Sequence, residues 1–328
     1  MAGVDLDLDT DFDSALVYSI PMRNRFRRIT VRNGMLLPGP AGWGEFSPFE
    51  DYADAEVVPW LAAAVEPTQG AWPKPVRDRI PINCTVPVVS PERAAEIVRA
   101  SGCATAKVKV ADPGMSIVED CERVAAVREA LGPSGAIRVD ANAAWDVDTA
   151  IGAIRDLDKA AGGLEYVEQP CPELDELAAV RRKVDVRIAA DESIRRAEDP
   201  MRVAVAGAAD VAVLKVQPLG GVARTLEVAQ ACGLPCVVSS AVETSVGLAA
   251  GLALAGALPE LDFACGLGTL SLLTADVVPE PLRPKDGWLP VPTEPPAPEP
   301  SLVSADETVT AYWRDRLQRV ATLWRTSL

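Results

Sequence analysis

One short stretch, Ala106-Lys107-Val108-Lys109-Val110, constrains the fold more than any other part of the chain. Side chains alternate along a strand, so the two lysines share one face and the valines take the other. Two ammonium groups on one face of a hydrophobic strand repel each other, and without nearby negative charge they lose proton affinity. The chain supplies that charge at intervals. Ile137-Arg138-Val139 ends in Asp140, Glu165-Tyr166-Val167 in Glu168, and Arg187-Ile188-Ala189-Ala190 in Asp191, while Val211-Ala212-Val213-Leu214 ends in a further lysine, Lys215. From Lys109 the steps are 31, 28, 23 and 24 residues. A strand-plus-helix unit of a parallel barrel uses about that length, since eight of them make up roughly 250 residues.

From Pro81 the pattern repeats as strand, loop, helix. It predicts strands near 83–89, 104–110, 136–140, 164–168, 186–191, 210–215, 235–239 and 262–266. Helices are expected between them at 91–101, 116–131, 146–159, 173–183, 199–207, 221–232 and 246–258. Eight strands with seven helices between them make an α/β fold, a modified TIM-type (β/α)7β barrel of less than usual length. An open doubly wound sheet is the alternative. Against it, no glycine-rich phosphate loop follows the first strand, and acids recur at too many successive strand ends.

The flanks do not read as βα units. Arg28–Arg32 and Met35–Leu37 bracket Asn33-Gly34, a two-residue hairpin signal; Gly42–Phe46 is a third strand and Ala53–Glu66 a helix. An α+β capping domain over 1–82 follows, then the barrel over 83–284. Met22–Arg28 holds four arginines in an acidic chain, either a solvated turn or a mobile flap reaching an anionic substrate. Nine prolines between Pro279 and Pro300 exclude helix and central strand there. Ser304–Glu307 has the form of a capping box, and Val309, Tyr312, Trp313, Leu317, Val320, Leu323 and Trp324 then repeat at helical spacing. The segment 285–328 therefore reads as a wrapping stretch and a helix packed on the cap, its tryptophans in the core.

A net charge of −15 argues against nucleic acid or an anionic membrane as partner. Seven dispersed cysteines without a CxxC pair suit reduced thiols in a cytoplasmic protein. Residues 1–10 lack the form of a signal peptide, and the apolar run Val246–Leu258 is too short for a membrane span and reads as a buried helix. Histidine is absent, which excludes Ser-His-Asp and Cys-His hydrolases and leaves Lys, Asp, Glu, Tyr or Cys for acid–base work.

Three carboxylates from consecutive strands, with no His or Cys, form a hard oxygen site suited to Mg²⁺, with Mn²⁺ as the alternative. Strand carboxyl ends of a parallel barrel open onto one face, so Asp140, Glu168 and Asp191 can converge while Lys109 and Lys215 flank a substrate. A lysine of lowered pKa beside them can remove a proton next to a carboxylate, the metal and the second lysine stabilising the charge that develops. Taken singly, the elements have blander roles. An acid at a strand end is commonly a helix N-cap, as Asp191 could be, and Asn142 and Ser193 could likewise only cap. The full set at barrel spacing favours the catalytic reading.

Lys107-Val-Lys109, Asp140-Ala-Asn142-Ala-Ala-Trp145, Glu168-Gln169-Pro170, Ala190-Asp191-Glu192-Ser193 and Lys215-Val-Gln217-Pro218-Leu219-Gly220-Gly221 resemble the motifs of the enolase superfamily, muconate-lactonizing-enzyme subgroup, and Gly42-Trp-Gly-Glu-Phe46 resembles its capping domain. Met22–Arg28, Ser239–Ser245 and Gly266-Leu-Gly-Thr269 are most similar to the o-succinylbenzoate synthases of actinobacterial type. The resemblance implies a Mg²⁺-dependent lyase of menaquinone biosynthesis, acting by syn-dehydration of a small cyclohexadiene dicarboxylate. It implies Lys109 as acid–base residue, Lys215 as electrostatic partner, Lys107 as the assistant of Lys109, and Asp140, Glu168 and Asp191 as metal ligands. It further implies substrate contacts from Arg27, Ser239, Ser240 and Gly268. N-succinylamino acid racemases and dipeptide epimerases use the same lysine pair. Cys265–Thr269 carries no acid for a dipeptide's ammonium, which disfavours the latter. A non-catalytic barrel binding protein is the alternative from another class, and it predicts loss of at least one of the five charged residues; all five are present.

Overall fold

The computed structural model describes residues 14–70, 72–195 and 202–327. Residues 1–10 and part of the helix expected at 199–207 lie outside these; within them Arg202–Val205 is helical.

Three antiparallel strands open the described chain: β1 (Leu16–Phe26), β2 (Ile29–Gly39) and β3 (Gly42–Phe46). The β1–β2 reversal is not at Asn33-Gly34. β2 runs through that pair, which lies opposite Ser19 and Tyr18. The chain turns instead at Arg27-Arg28, both left-handed with φ 48° and 68°, the backbone sign that a tight two-residue hairpin turn demands. Gly34 answers a packing need, since a Cβ there would lie 2.5 Å from the Tyr18 hydroxyl.

Helix Val58–Gln69 covers this sheet, and Trp60 and Leu61 from it share one buried core with Met35, Leu37 and Phe46. Trp313, Leu317, Val320 and Trp324 of the last helix, Glu307–Ser327, enter the same core, as their spacing implied. Tyr312 and Leu323 fall outside the stripe and are exposed. Asp306, rather than Ser304, caps this helix: its Oδ1 accepts from the Val309 N–H at 2.8 Å.

A short β4 (Arg79–Pro81) leads into the barrel. Strands β5 (Cys84–Val86), β6 (Thr105–Lys109), β7 (Ala136–Asp140), β8 (Tyr166–Glu168), β9 (Ile188–Ala190), β10 (Val211–Leu214) and β11 (Cys236–Val238) pair in sequence order, all parallel. Helices Pro91–Ser101, Ile117–Leu131, Val147–Ala161, Leu174–Arg181, Val222–Cys232 and Ser245–Ala257 stand between or after them. Ser90, Ser116, Asp146 and Thr244 cap four of these with side-chain oxygens. Each cap satisfies one of the N–H groups that a helix start leaves unpaired.

The strand expected at 262–266 shrinks to two bridging residues, Cys265 beside Ile82 and Gly266 beside Ser239. They still tie the two sheet edges together. Cys265 N–H donates to Pro81 O at 2.7 Å, Asn83 N–H to Cys265 O at 3.0 Å, and Gly266 N–H to Val238 O at 2.8 Å. From β7, Arg138 adds a bond to Ala264 O at 2.7 Å. The proline-rich segment contributes β12 (Trp288–Pro290), paired antiparallel to β4.

The alternation of the strands sorts the core. Ala106, Val108, Ile137 and Val139 face the helices in the large apolar cluster, while Tyr166, Ala189, Val211, Val213, Val237 and Phe263 form a separate small one. All seven cysteines are free thiols, and no described helix is long and apolar enough to cross a membrane.

Candidate active site

Register places the charged residues side by side. In the parallel pairing, Lys109 is opposite Asp140 and Asp140 opposite Glu168. Asp191 follows β9 directly and Lys215 follows β10. The five residues thus rim one end of the sheet, and Lys107 sits two residues deeper on β6. All six are nine-tenths buried or more.

Each acid meets an ammonium group. Lys107 Nζ donates to Glu168 Oε1 at 2.5 Å and pairs with Asp140 Oδ2 at 3.0 Å. Lys109 Nζ donates to that same Asp140 Oδ2 and to Asn142 Oδ1, the latter at 2.6 Å. Lys215 Nζ donates to Asp191 Oδ2 at 2.5 Å. Lys109 and Lys215 thus stand on opposite sides of the acids, with three strands between theirs in pairing order.

The two β6 lysines differ in proton affinity. Burial pulls Lys107 down, but Asp140 and Glu168 together outweigh it and raise its pKa. For Lys109, burial and then the positive charge of Lys107 prevail over Asp140, and the pKa is lowered. Asp140 goes well below the usual carboxylate range: the cost of its burial is overcome by the two lysines. Burial, followed by the charge of Asp140, pushes Glu168 up to about 7.

Among the described residues no three Asp, Glu, Cys or His side chains are grouped as a ready metal cluster; the acids are turned to the lysines. Their chemistry nonetheless fits a hard divalent cation. The donors are all carboxylate oxygens at neighbouring strand ends, and Glu168 Oε2 is buried with no hydrogen-bond partner. A cation there would meet an oxygen that nothing else satisfies.

The lysines and Asp140 line one cavity. Arg27, Ser239 and Ser240 line it too. Gly268 does not; it packs against Asn83 O and Ile82, and the nearby lining residues are Gly266 and Thr269. The arginine-rich stretch forms the end of the β1–β2 hairpin, with Arg27 Nη2 3.4 Å from Glu192 Oε1 and its guanidinium 4.8 Å from the Phe49 ring centre. Phe26 lies on the other flank, 5.1 Å from Lys109 Nζ.

Sequence reasoning treated Asn142 and Ser193 as possible caps. Asn142 instead accepts from Lys109, and Ser193 Oγ accepts from Gln169 Nε2 at 2.8 Å. Gln169 Oε1 takes the Asp191 and Ser193 N–H groups at 3.0 and 3.1 Å, so this glutamine sets the backbone on which Asp191 sits. Phe26, Phe49 and Thr85 were missed. Phe26 sits inside the arginine-rich stretch Met22–Arg28 that the sequence does mark, whereas Phe49 and Thr85 come from elements remote in sequence that no local motif marks.

Residues 17–68 match the enolase N-terminal domain-like family and residues 90–295 the enolase C-terminal domain-like family. The chain is 65% identical over 274 residues to the o-succinylbenzoate synthase of Thermobifida fusca, covering 84% of this chain and 86% of that one. It is 52% identical over 314 residues to that of Mycolicibacterium smegmatis, covering 94% and 96%. Among solved structures, the L-Ala-D/L-Glu epimerase of Bacillus subtilis superposes with a TM-score of 0.72 at 24% identity, over 86% of this chain and 96% of that one. The muconate lactonizing enzyme of Pseudomonas putida gives 0.70 at 21% identity, over 91% and 98%. These two likenesses concern the fold alone. With both enolase domains matched and close relatives aligned over most of their length, the chain belongs to the o-succinylbenzoate synthase family of the enolase superfamily.

Proposed function

We propose that this protein is a Mg²⁺-dependent lyase that dehydrates 2-succinyl-6-hydroxy-2,4-cyclohexadiene-1-carboxylate to o-succinylbenzoate, a step of menaquinone biosynthesis. One observation carries the reading of the site: Lys109 and Lys215 line a single cavity and stand on either side of three buried acids.

Lys109 removes the proton from the ring carbon that bears the carboxylate, and its lowered pKa suits it to that task near neutral pH. The electron pair left behind spreads into the carboxylate as an enediolate. The hydroxyl on the adjacent carbon then leaves from the same face and takes the proton Lys109 has just acquired. Water departs and the ring becomes aromatic. One residue thus serves as base and then acid, which makes the elimination syn. From the opposite side, Lys215 holds the developing negative charge without exchanging a proton. Lys107 stays charged and keeps the proton affinity of Lys109 low. Asp140, Glu168 and Asp191 are the residues that would hold Mg²⁺, which supplies fixed positive charge for the enediolate. Arg27, Ser239 and Ser240 are left for the succinyl carboxylate.

The test follows loss of the diene absorbance and formation of o-succinylbenzoate by purified protein, with Mg²⁺ and after chelation. Rapid turnover that chelation abolishes is expected. N-succinylamino acids are assayed alongside; racemisation without dehydration would replace this reading by a racemase on the same lysines.

A further inference from the structure

Arg32 leaves β2 of the cap and is 2% exposed, yet its guanidinium serves the barrel. Nε donates to Val242 O at 3.0 Å and Nη2 to Ala241 O at 3.2 Å. Nη2 also reaches the cap's own Ser47, at both its carbonyl and its Oγ. The plane of the group lies over Phe49, 4.7 Å from the ring centre, and Arg27 lies 4.8 Å from the same ring. One aromatic ring therefore carries a cation from the cavity and a cation from the domain junction. Glu45, on β3, holds the far end of the same barrel segment: its Oε2 accepts the Thr244 and Gly247 N–H groups at 3.1 and 3.0 Å.

The segment so gripped is strained. Val242 has φ 65°, a left-handed backbone that a β-branched residue adopts only under constraint. The constraint is visible on both sides of it. Val242 O is held by Arg32, Val242 N–H donates to Ser240 Oγ at 2.7 Å, and Ala241 N–H donates to Glu243 Oε2 at 2.8 Å. Ser240 Oγ is in turn 2.6 Å from Thr269 Oγ1. Ser239, Ser240, Ala241 and Val242 all line the cavity; Arg32 does not.

We propose that Arg32 is a positioning residue for the succinyl arm of the substrate: from outside the cavity it fixes the strained Ala241–Val242 wall that the arm's carboxylate meets. This rests on the synthase reading above. The lysines and acids account for the ring and its carboxylate, which leaves Arg27 and the wall of Ser239, Ser240, Thr269 and backbone for the distal one. A guanidinium suits the task because its planar fork can hold two carbonyls and Ser47 at once.

The test compares wild type with Arg32→Lys and Val242→Gly, reading KM and kcat for the dehydration and inhibition by o-succinylbenzoate against benzoate, which lacks the arm. Wild-type turnover checks the synthase reading separately. With that in place, Arg32→Lys raises KM about tenfold with kcat within about threefold, the size expected for loss of one charged hydrogen bond. Inhibition by o-succinylbenzoate weakens in parallel, and inhibition by benzoate does not. Val242→Gly relaxes the same peptide while keeping the carbonyl that Arg32 holds, so it shifts the same ratio, with some loss of thermal stability from the buried side chain removed; it decides the matter if Arg32→Lys fails to fold. Folded variants that keep the wild-type ratio of the two inhibition constants, or lose both in equal measure, would overturn the proposal.

Discussion

Lys107 and Lys109 both reach a single oxygen, Oδ2 of Asp140. Two ammonium groups on one carboxylate oxygen cannot have the same proton affinity. Lys107, which also holds Glu168, is raised, and Lys109, depressed by burial and by Lys107, is lowered. In the proposed mechanism that split separates a structural cation from the base.

Removing Lys107 therefore acts on Lys109. Lys107→Met deletes a positive charge that depresses Lys109 and leaves burial alone to oppose the pull of Asp140 and Glu168, so the Lys109 pKa rises. The base is then neutral only at higher pH, and the acid limb of kcat/KM moves up by roughly one pH unit. A pH–rate profile checks this; a limb that stays in place or moves down contradicts it.

As a proposed metal ligand, Glu168 should link pH, metal binding and stability. Its pKa of about 7 lies above the ordinary carboxylate value of 4.5, so between those values the folded protein retains a proton that the unfolded chain has released. Its contribution to stability is full below that window and lost as pH rises through it. Without metal, Tm should fall between about pH 5 and pH 7 by a few degrees more in wild type than in Glu168→Gln. At pH 7.5, Mg²⁺ should raise Tm in wild type and fail to do so in the variant. Melting curves that are parallel with and without Mg²⁺ would remove Glu168 from the metal site.

The cap depends on one close approach. A Cβ on Gly44 would lie 1.6 Å from the Ala64 carbonyl oxygen, a backbone atom within helix Val58–Gln69. Gly44→Ala must force helix and sheet apart, at a cost on the order of 3 kcal/mol. Denaturant titration measures it; a change below about 0.5 kcal/mol, the level of a surface substitution, would show that the helix yields freely.

What the sequence made legible was whatever repeats or is local. Six helices could be placed because capping residues and glycines punctuate them, and the charged rim because a charge at every strand end is conspicuous among valines. The errors share a cause: local signals were overridden by partners distant in the chain. Asn33-Gly34 reads as a turn, yet Gly34 is small because Tyr18 packs on it. The last strand is cut to two residues because Cys265 and Gly266 suffice to bond both edges. Ser304 looked like a cap, but its carbonyl is taken by Ser19 N–H at 2.8 Å and Asp306 does the capping. Arg32 left no trace in the sequence, since its carbonyl partners in the barrel lie 209 and 210 residues away.

The division of labour between Lys109 and Lys215 is tested most directly by chemical rescue. Lys109→Ala and Lys215→Ala are each assayed for o-succinylbenzoate formation with added methylamine across a range of pH. If Lys109 is the base, its loss is rescued in proportion to the free amine, so the gain climbs as pH approaches the amine's pKa. Any gain in Lys215→Ala follows the ammonium form instead and falls with rising pH. Free-amine rescue of Lys215→Ala, with none for Lys109→Ala, would reverse the two roles.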